Sequence, residues 1–429
     1  MLKDRYDLDV TTSSTEARDA YIQGTDAILA ATPEPEVALE RSIDADPNFA
    51  LPWSALARQH QLMGRPKEAR EAAEKAVTLA EHATEREQQH AKAYLLMVTG
   101  KGQDALALTH EHMKHWPRDA FLLAPSCGVF GLIGFSGRKG REPEQLELLE
   151  PLAKHYGDDW WFLSAHAFGL LEMGQWAKAR ELIERSLDQF PRNAHAAHIR
   201  AHALYEAGED EESRSYLEGW MPDYPSTGLM HCHLWWHTAL MRLVAGDIDG
   251  MWDAFDNNCA PDKSTSPTIN IMTDGAALLW RAELAGVERP TERWNALCEW
   301  FESTFPKPMV FVDAHGGLPY AATGNDEGLA QFQQLVRETA DKGRLPAGDI
   351  GIPLSTAFGA FAKGQWSKTI SSLEPIMDDV VCIGGSRAQR DLVTNTLLAA
   401  YINDGRSDSA KALLDSVHDR QPSRPVVGL

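Results

Sequence analysis

The sequence predicts an all-α fold, a right-handed α-solenoid of about eleven helical hairpins. Three observations carry this. Helical periodicity runs through most of the 429 residues while strand signals are scarce. A short turn marker recurs, at Gly64, Gly100, Gly174, Gly208, Gly246, Gly286, Gly324, Gly364 and Gly405, with one more expected near Gly137 or Gly140. From Gly174 onward the markers are spaced by 34, 38, 40, 38, 40 and 41 residues, the length of one antiparallel helix pair and its turns.

Each element follows from that register. A capping box, Ser13–Glu16, opens a first hairpin over residues 16–47, after an N-terminal extension of residues 1–15. Glycine suits the turn because the chain reverses sharply where one helix ends, a place for positive φ. An alanine lies five residues after the glycine at Ala69, Ala105 and Ala179, where two helices approach closely. A proline lies seventeen after it at Pro117, Pro191 and Pro225, ending the second helix. Trp53, eleven before Gly64, is a large packing residue. This pattern resembles the tetratricopeptide repeat. Residues 257–268 and 341–353, rich in Pro, Gly and polar residues, read as long loops between repeats, and the same repeat resumes after each. The chain therefore reads as one tetratricopeptide-like array over residues 1–429, with residues 421–429 as a poorly packed tail.

Composition narrows the function. With 43% hydrophobic and 24% charged residues, the chain is globular. Its 41 basic and 62 acidic residues give a net charge of −21, which argues against a nucleic-acid or anionic-membrane surface. The one basic run, GRKGRE at Gly137–Glu142, reads as a solvated loop. Five scattered cysteines with no CxxC pair suggest neither a zinc ribbon nor a disulfide framework, and fit reduced thiols in the cytoplasm. No N-terminal apolar core reads as a signal peptide, and no run of eighteen apolar residues reads as a membrane span.

Six of the sixteen histidines fall between His195 and His237. Counted from Gly208, His202, His198 and His195 lie six, ten and thirteen residues back, on one face of a first helix, with Ala197 and Ala201 on the packing face. Counted from Gly246, His233 and His237 lie one turn apart on the next first helix, while His231 cannot share their face. First helices of adjacent repeats lie roughly 8–10 Å apart, so His198, His202, His233 and His237 are expected to face one volume in the concave groove. Asp274 with Arg281, Asp313 with His315, and Arg390 with Asp391 sit in later first helices and converge there if the solenoid curves. Of the tryptophans Trp160, Trp161, Trp235, Trp236 and Trp280, most pack the core and one or two wall the site. Gly384–Gly385 reads as a helix-entry turn, because no GxxxxGK[ST] accompanies it.

Two chemistries suit the histidine pairs. One is metal-free acid–base work with Asp–His pairing, of hydrolase or lyase type. The other is a divalent metal held by His198, His202, His233 and His237, for which the sequence offers no HExxH and no nearby carboxylate ligand. Arg390 either clamps a substrate carboxylate or bridges to Asp391 or Asp274 between repeats. The groove thus holds either a small polar molecule, bound and transformed, or a peptide on an interaction scaffold. Histidines, aromatics and acids on consecutive units favour the small molecule, and the oligomeric state is left open.

The pieces AAHIRAHALYEAG (Ala196–Gly208), HLWWHTAL (His233–Leu240), FVDAH (Phe311–His315), GIPL (Gly351–Leu354) and IGGSRAQRD (Ile383–Asp391) occur in the order seen in the tetratricopeptide repeat protein 38 family, which the chain resembles over nearly its whole length. The resemblance implies a repeat fold and, by analogy, partner binding. It matches His198, His202, His233, Trp236, His237, Asp313, His315, Gln389, Arg390 and Asp391 to the family's motif positions. Catalysis is expected of His198, His202, His233, His237, Asp313 and His315, and ligand contact of Trp236, Asp274, Gln389, Arg390 and Asp391. At Arg387 this chain departs from the family's usual histidine or asparagine.

Overall fold

A computed structural model describes residues 1–417 and 425–429. The chain is an all-α solenoid of stacked hairpins. These are α1–α2 (Thr15–Ala30, Pro35–Ala45), α3–α4 (Ala50–Leu62, Pro66–Ala80) and α5–α6 (Glu85–Val98, Gly102–His115). An irregular unit follows, of α7 (Ala120–Leu123), α8 (Arg141–Leu149) and α9 (Ala153–Tyr156). Regular pairs resume with α10–α11 (Trp160–Glu172, Trp176–Gln189), α12–α13 (Ala194–Ala207, Asp210–Trp220), α14–α15 (His231–Val244, Ile248–Asn258) and α16–α17 (Thr268–Leu284, Thr291–Thr304). The last units are α18 and α19 (Val312–His315, Gly317–Thr323) with α20 (Asp326–Asp341), then α21–α22 (Gly351–Ala362, Trp366–Leu373) and α23–α24 (Arg387–Asn403, Ser407–Val417). The expected count of about eleven hairpins is met among the described residues. The strands among the described residues are two-residue segments, Leu2–Lys3 paired antiparallel with Asp9–Val10, within the N-terminal extension.

The sequence logic is visible in the backbone. All nine turn glycines from Gly64 to Gly405 have φ between +67° and +88°, the left-handed region that ends a helix without Cβ strain. Ala69, Ala105 and Ala179 are at most 1% exposed, at the close approaches between paired helices. The two long loops fall at residues 259–267 and 342–350, between α15 and α16 and between α20 and α21. Helix α1 is capped one residue later than expected: the Ser14 side chain accepts from the Ala17 N–H, and the Ser13–Glu16 box is not formed. Of the expected loose tail, residues 421–424 lie outside the described residues. Beyond them Val426 is buried and the Val427 N–H donates to Leu284 O at 2.9 Å, which ties the chain to α16 there, while residues 427–429 are exposed.

The larger departure is in curvature. The second helices present one buried stripe: α11 buries four of its fourteen residues and α13 three of its eleven. The first helices are buried on all sides, with twelve of fourteen residues in α12, eleven of fourteen in α14, fourteen of seventeen in α16 and thirteen of seventeen in α23. Their inner faces meet one another across the array instead of lining an open groove. Trp280 Nε1 donates to Thr396 Oγ1 at 2.9 Å, Arg281 donates to Ala388 O, and Tyr205 donates to the Asp391 carboxylate. Helix α8 is drawn in as well: Arg141 donates to Val381 O at 2.8 Å and to Gly385 O at 2.6 Å. The GRKGRE run is therefore not a solvated loop throughout, since Arg141 is 2% exposed. Closure at the N-terminal end joins Tyr224 to Ala31 O and Arg5 to Asp159.

One turn makes this closure tight. Gly385 has φ +71°, and a Cβ there would lie 2.4 Å from the Phe311 ring. Gly385→Ala is expected to cost about 1–2 kcal/mol for the left-handed backbone and roughly 1–3 kcal/mol for the overlap, read as a lower urea midpoint at unchanged slope.

Candidate functional site

Helices α12 and α14 each place two histidines one turn apart, and the closed interior brings the four rings together. His198, His202, His233 and His237 are 7%, 2%, 5% and 3% exposed. One ligand nitrogen from each lies within 4.8 Å of all the others. His198 Nε2 is 2.8 Å from His202 Nε2 and 3.0 Å from His233 Nε2. The rings of His202 and His237 stand with centroids 4.6 Å apart. The expectation that these four share a volume holds, but that volume is an enclosed interior and not a groove face.

The second layer fixes the rings. His233 Nδ1–H donates to Asp274 Oδ2 at 2.8 Å, from the next first helix, so the His233 Nε2 lone pair points inward at His198. Trp236 stacks on His233 at 5.2 Å and 15°, and Phe168 packs edge-on to His202. The Arg281 guanidinium lies 5.7 Å from the Trp236 ring centre. Burial, reinforced by the neighbouring imidazoles, holds His198 and His237 well below the ordinary histidine range and pushes His202 down to about 3. These rings are held toward the neutral form, in which each keeps one N–H and one free nitrogen lone pair. His237 Nε2, Asp274 Oδ1 and Trp236 Nε1 are buried with no hydrogen-bond partner.

The remaining expected residues divide. His315 Nδ1–H donates to Phe311 O at 2.9 Å, and burial pushes the ring down to about 4, with Asp274 and Arg281 close enough to act on its charge. Asp313 turns to its own helix: its Oδ1 accepts from the Ala314 N–H at 3.0 Å, and burial raises its carboxyl to about 7. Both lie beside Phe311, a non-glycine residue at φ +72°. Asp391 accepts from Tyr205. Gln389 serves in the capping box of α23, its Oε1 accepting from the Ser386 N–H at 3.0 Å. Arg390 pairs with Glu142, donates to Gly385 O at 2.6 Å and lies 3.6 Å from Glu172. It bridges repeats, with acids other than the expected Asp391 or Asp274. His231, set aside by register, accepts from Trp235 Nε1 at 3.1 Å.

Sequence reasoning missed Tyr205 and Phe168 at the site. It also missed the closure acids Glu142, Glu172 and Glu206, the last paired with Arg387 at 3.1 Å. Tyr205 and Glu206 lie in the quoted AAHIRAHALYEAG piece, so the signal was present. A cleft of about 20 Å³ is lined by Tyr205, Met241, Arg281 and Asn395, with Tyr205 and Met241 about one helical turn beyond His202 and His237. A larger one, of about 260 Å³, lies away from it at the α1–α2 turn, against Thr227 and Leu229.

Residues 170–231 match the tetratricopeptide repeat family. A 199-residue stretch, 45% of the chain, is 25% identical to the rRNA biogenesis protein rrp5 of Schizosaccharomyces pombe and covers 11% of that protein. The chain thus spans a small fraction of this curated relative. Among solved structures, the human IFIT1 dimer with m7Gppp-AAAA is similar at a TM-score of 0.40 and 12% identity, covering 96% of this chain and 95% of that one. Yeast Tom70 is similar at 0.38 and 11%, covering 96% and 85%. No helix among the described residues is long and apolar enough to cross a membrane.

Proposed function

We propose that this tetratricopeptide-like repeat protein uses its enclosed interior to bind, and by hydrolase- or lyase-type chemistry to transform, a small polar molecule in the cytoplasm. The observation that supports this is convergence. Ionisable side chains from α12, α14 and α16 meet in one buried volume, with His315 and Asp391 from α18 and α23 beside it, and His233 touches Asp274 across 41 residues of sequence. A scaffold needs none of these groups buried, and burying them costs stability unless they serve one another or a ligand. Arg281, close enough to His237 to act on its charge, would be the group that meets a ligand carboxylate. The kinship with the tetratricopeptide repeat protein 38 family belongs to the same proposal, since its histidine and FVDAH motifs lie in or beside this interior.

The peptide-scaffold reading draws on a different place. The cleft of about 260 Å³ is lined by apolar Ile28, Val37, Met63 and Leu229, with Val37 62% exposed.

Thermal-shift screening of a polar-metabolite panel, followed by mass spectrometry of turnover, tests the proposal. A ligand at a hundred times its Kd stabilises the fold by about 2.7 kcal/mol. The expected hit shifts the wild type and loses its effect in folded His198→Ala and His237→Ala. A hit unaffected by both substitutions, or captured peptide alone, refutes the interior site.

A further inference from the structure

We infer that His198, His202, His233 and His237 bind one divalent transition-metal ion, with Asp274 as the outer carboxylate that orients His233. The inference rests on the reading of this cluster as the functional centre and gives that centre a cofactor.

The geometry is that of a ligand cage. At metal–nitrogen distances of about 2.0–2.1 Å, the nitrogens of a tetrahedral site stand roughly 3.3–3.4 Å apart. Here the contacts are 2.8 and 3.0 Å, and all four nitrogens fall within 4.8 Å.

Proton bookkeeping points the same way. Because His233 Nδ1 carries the hydrogen given to Asp274, its Nε2 is a bare acceptor. His198 Nε2 then has one hydrogen at most for two nitrogen neighbours, and His237 Nε2 has no partner at all. Four imidazoles turned inward are short of donors, and a cation accepts every lone pair at once. The Asp274–His233 contact is the outer-shell arrangement that fixes tautomer and ring angle in histidine metal sites. Asp274 also supplies negative charge beside a dication that four neutral rings cannot offset.

The donor set selects the metal class. Imidazole nitrogen suits zinc, copper, iron, nickel and cobalt, whereas magnesium and calcium take oxygen ligands. Trp236 and Phe168 wall the cluster with apolar surface, which keeps bulk water from competing.

The test uses the full chain without a histidine tag. Elemental analysis after dialysis is expected to give about one transition metal per chain. Chelator-stripped protein titrated with Co²⁺ is expected to develop visible ligand-field bands that saturate at one equivalent, and Zn²⁺ to raise Tm. His237→Ala and His198→Ala, checked for folding by circular dichroism, are expected to lose the bands. Asp274→Asn keeps all four ligands and a hydrogen-bond partner for His233, so it is expected to keep the stoichiometry while affinity falls 10–100-fold. Absence of metal, bands and Tm shift in the wild type overturns the inference, as does full binding in both histidine variants. An unchanged affinity in Asp274→Asn overturns the role of that carboxylate. The metabolite screen is repeated on stripped protein: a ligand shift there with no metal binding sinks the metal and leaves the small-molecule site. Metal binding with no ligand in either form sinks the small-molecule site instead.

Discussion

Asp119→Ala is expected to lower unfolding stability by about 3–5 kcal/mol, because it removes one partner of a buried charge network and strands the other. Asp119 sits between α6 and α7, 3% exposed, with Oδ2 accepting from Arg86 at 2.8 Å and lying 3.1 Å from His112 Nε2 and 3.4 Å from His90 Nδ1. Burial would raise this carboxyl, but His90, Arg86 and the His112 hydrogen bond overcome it and hold it well below the usual range. The sign follows. A carboxyl held down in the folded state contributes stability that is complete above the unfolded value of about 3.9 and is lost as pH falls through the lower folded value. Urea unfolding of the wild type should therefore weaken below about pH 4, and Asp119→Asn should lack that part of the slope. Asn also keeps the cap that Asp119 gives the Leu122 N–H, so its loss at pH 7 should be smaller than that of Ala by about 1 kcal/mol. Equal losses in both variants, with unchanged acid sensitivity, would remove the charge argument.

The network at Asp119 also marks where sequence reading stops. The hairpins were legible because their signals are local: a glycine at positive φ, an alanine five residues on, a proline at the second helix's end. The four histidines were legible for a related reason, since i,i+4 spacing and a shared offset from Gly208 and Gly246 place them on facing stripes. Asp274 was legible as a polar residue in a first helix, yet its contact with His233 depends on packing between repeats. Curvature was not legible. It arises from pairs such as Arg390–Glu142, separated by 248 residues, and no local pattern encodes which acid a distant arginine meets. The same limit hid the capping role of Gln389, because a capping box needs its helix start placed to the residue, and Ser386 becomes that start only when Gly384–Gly385 turns against Phe135 and Phe311.

Arg390→Ala tests whether those long-range pairs hold the solenoid closed. Arg390 is 11% exposed and reaches Glu142 on α8 and Glu172 on α10 from the first turn of α23. Removing it leaves Glu172, 5% exposed, without its nearest cation, for an expected loss of about 3–5 kcal/mol. Burial already raises the Glu172 carboxyl to about 7, with Arg390 the foremost influence opposing the rise. A group raised on folding stabilises the protonated protein; that stability is present below the unfolded value of about 4.3 and is lost as pH rises through the folded one. In the wild type the loss is complete a little above pH 7. In Arg390→Ala the carboxyl titrates higher, so the penalty of the substitution should be larger at pH 8.5 than at pH 6, measured by urea unfolding at both. If the pair is a closure staple, hydrogen exchange should also quicken in α8 and α23 together, because each buries its inner face against elements the other holds in place. Faster exchange in α23 alone, with a penalty independent of pH, would make Arg390 a local helix contact, and the closed interior around the histidines would then rest on apolar packing such as Trp280 against Phe358.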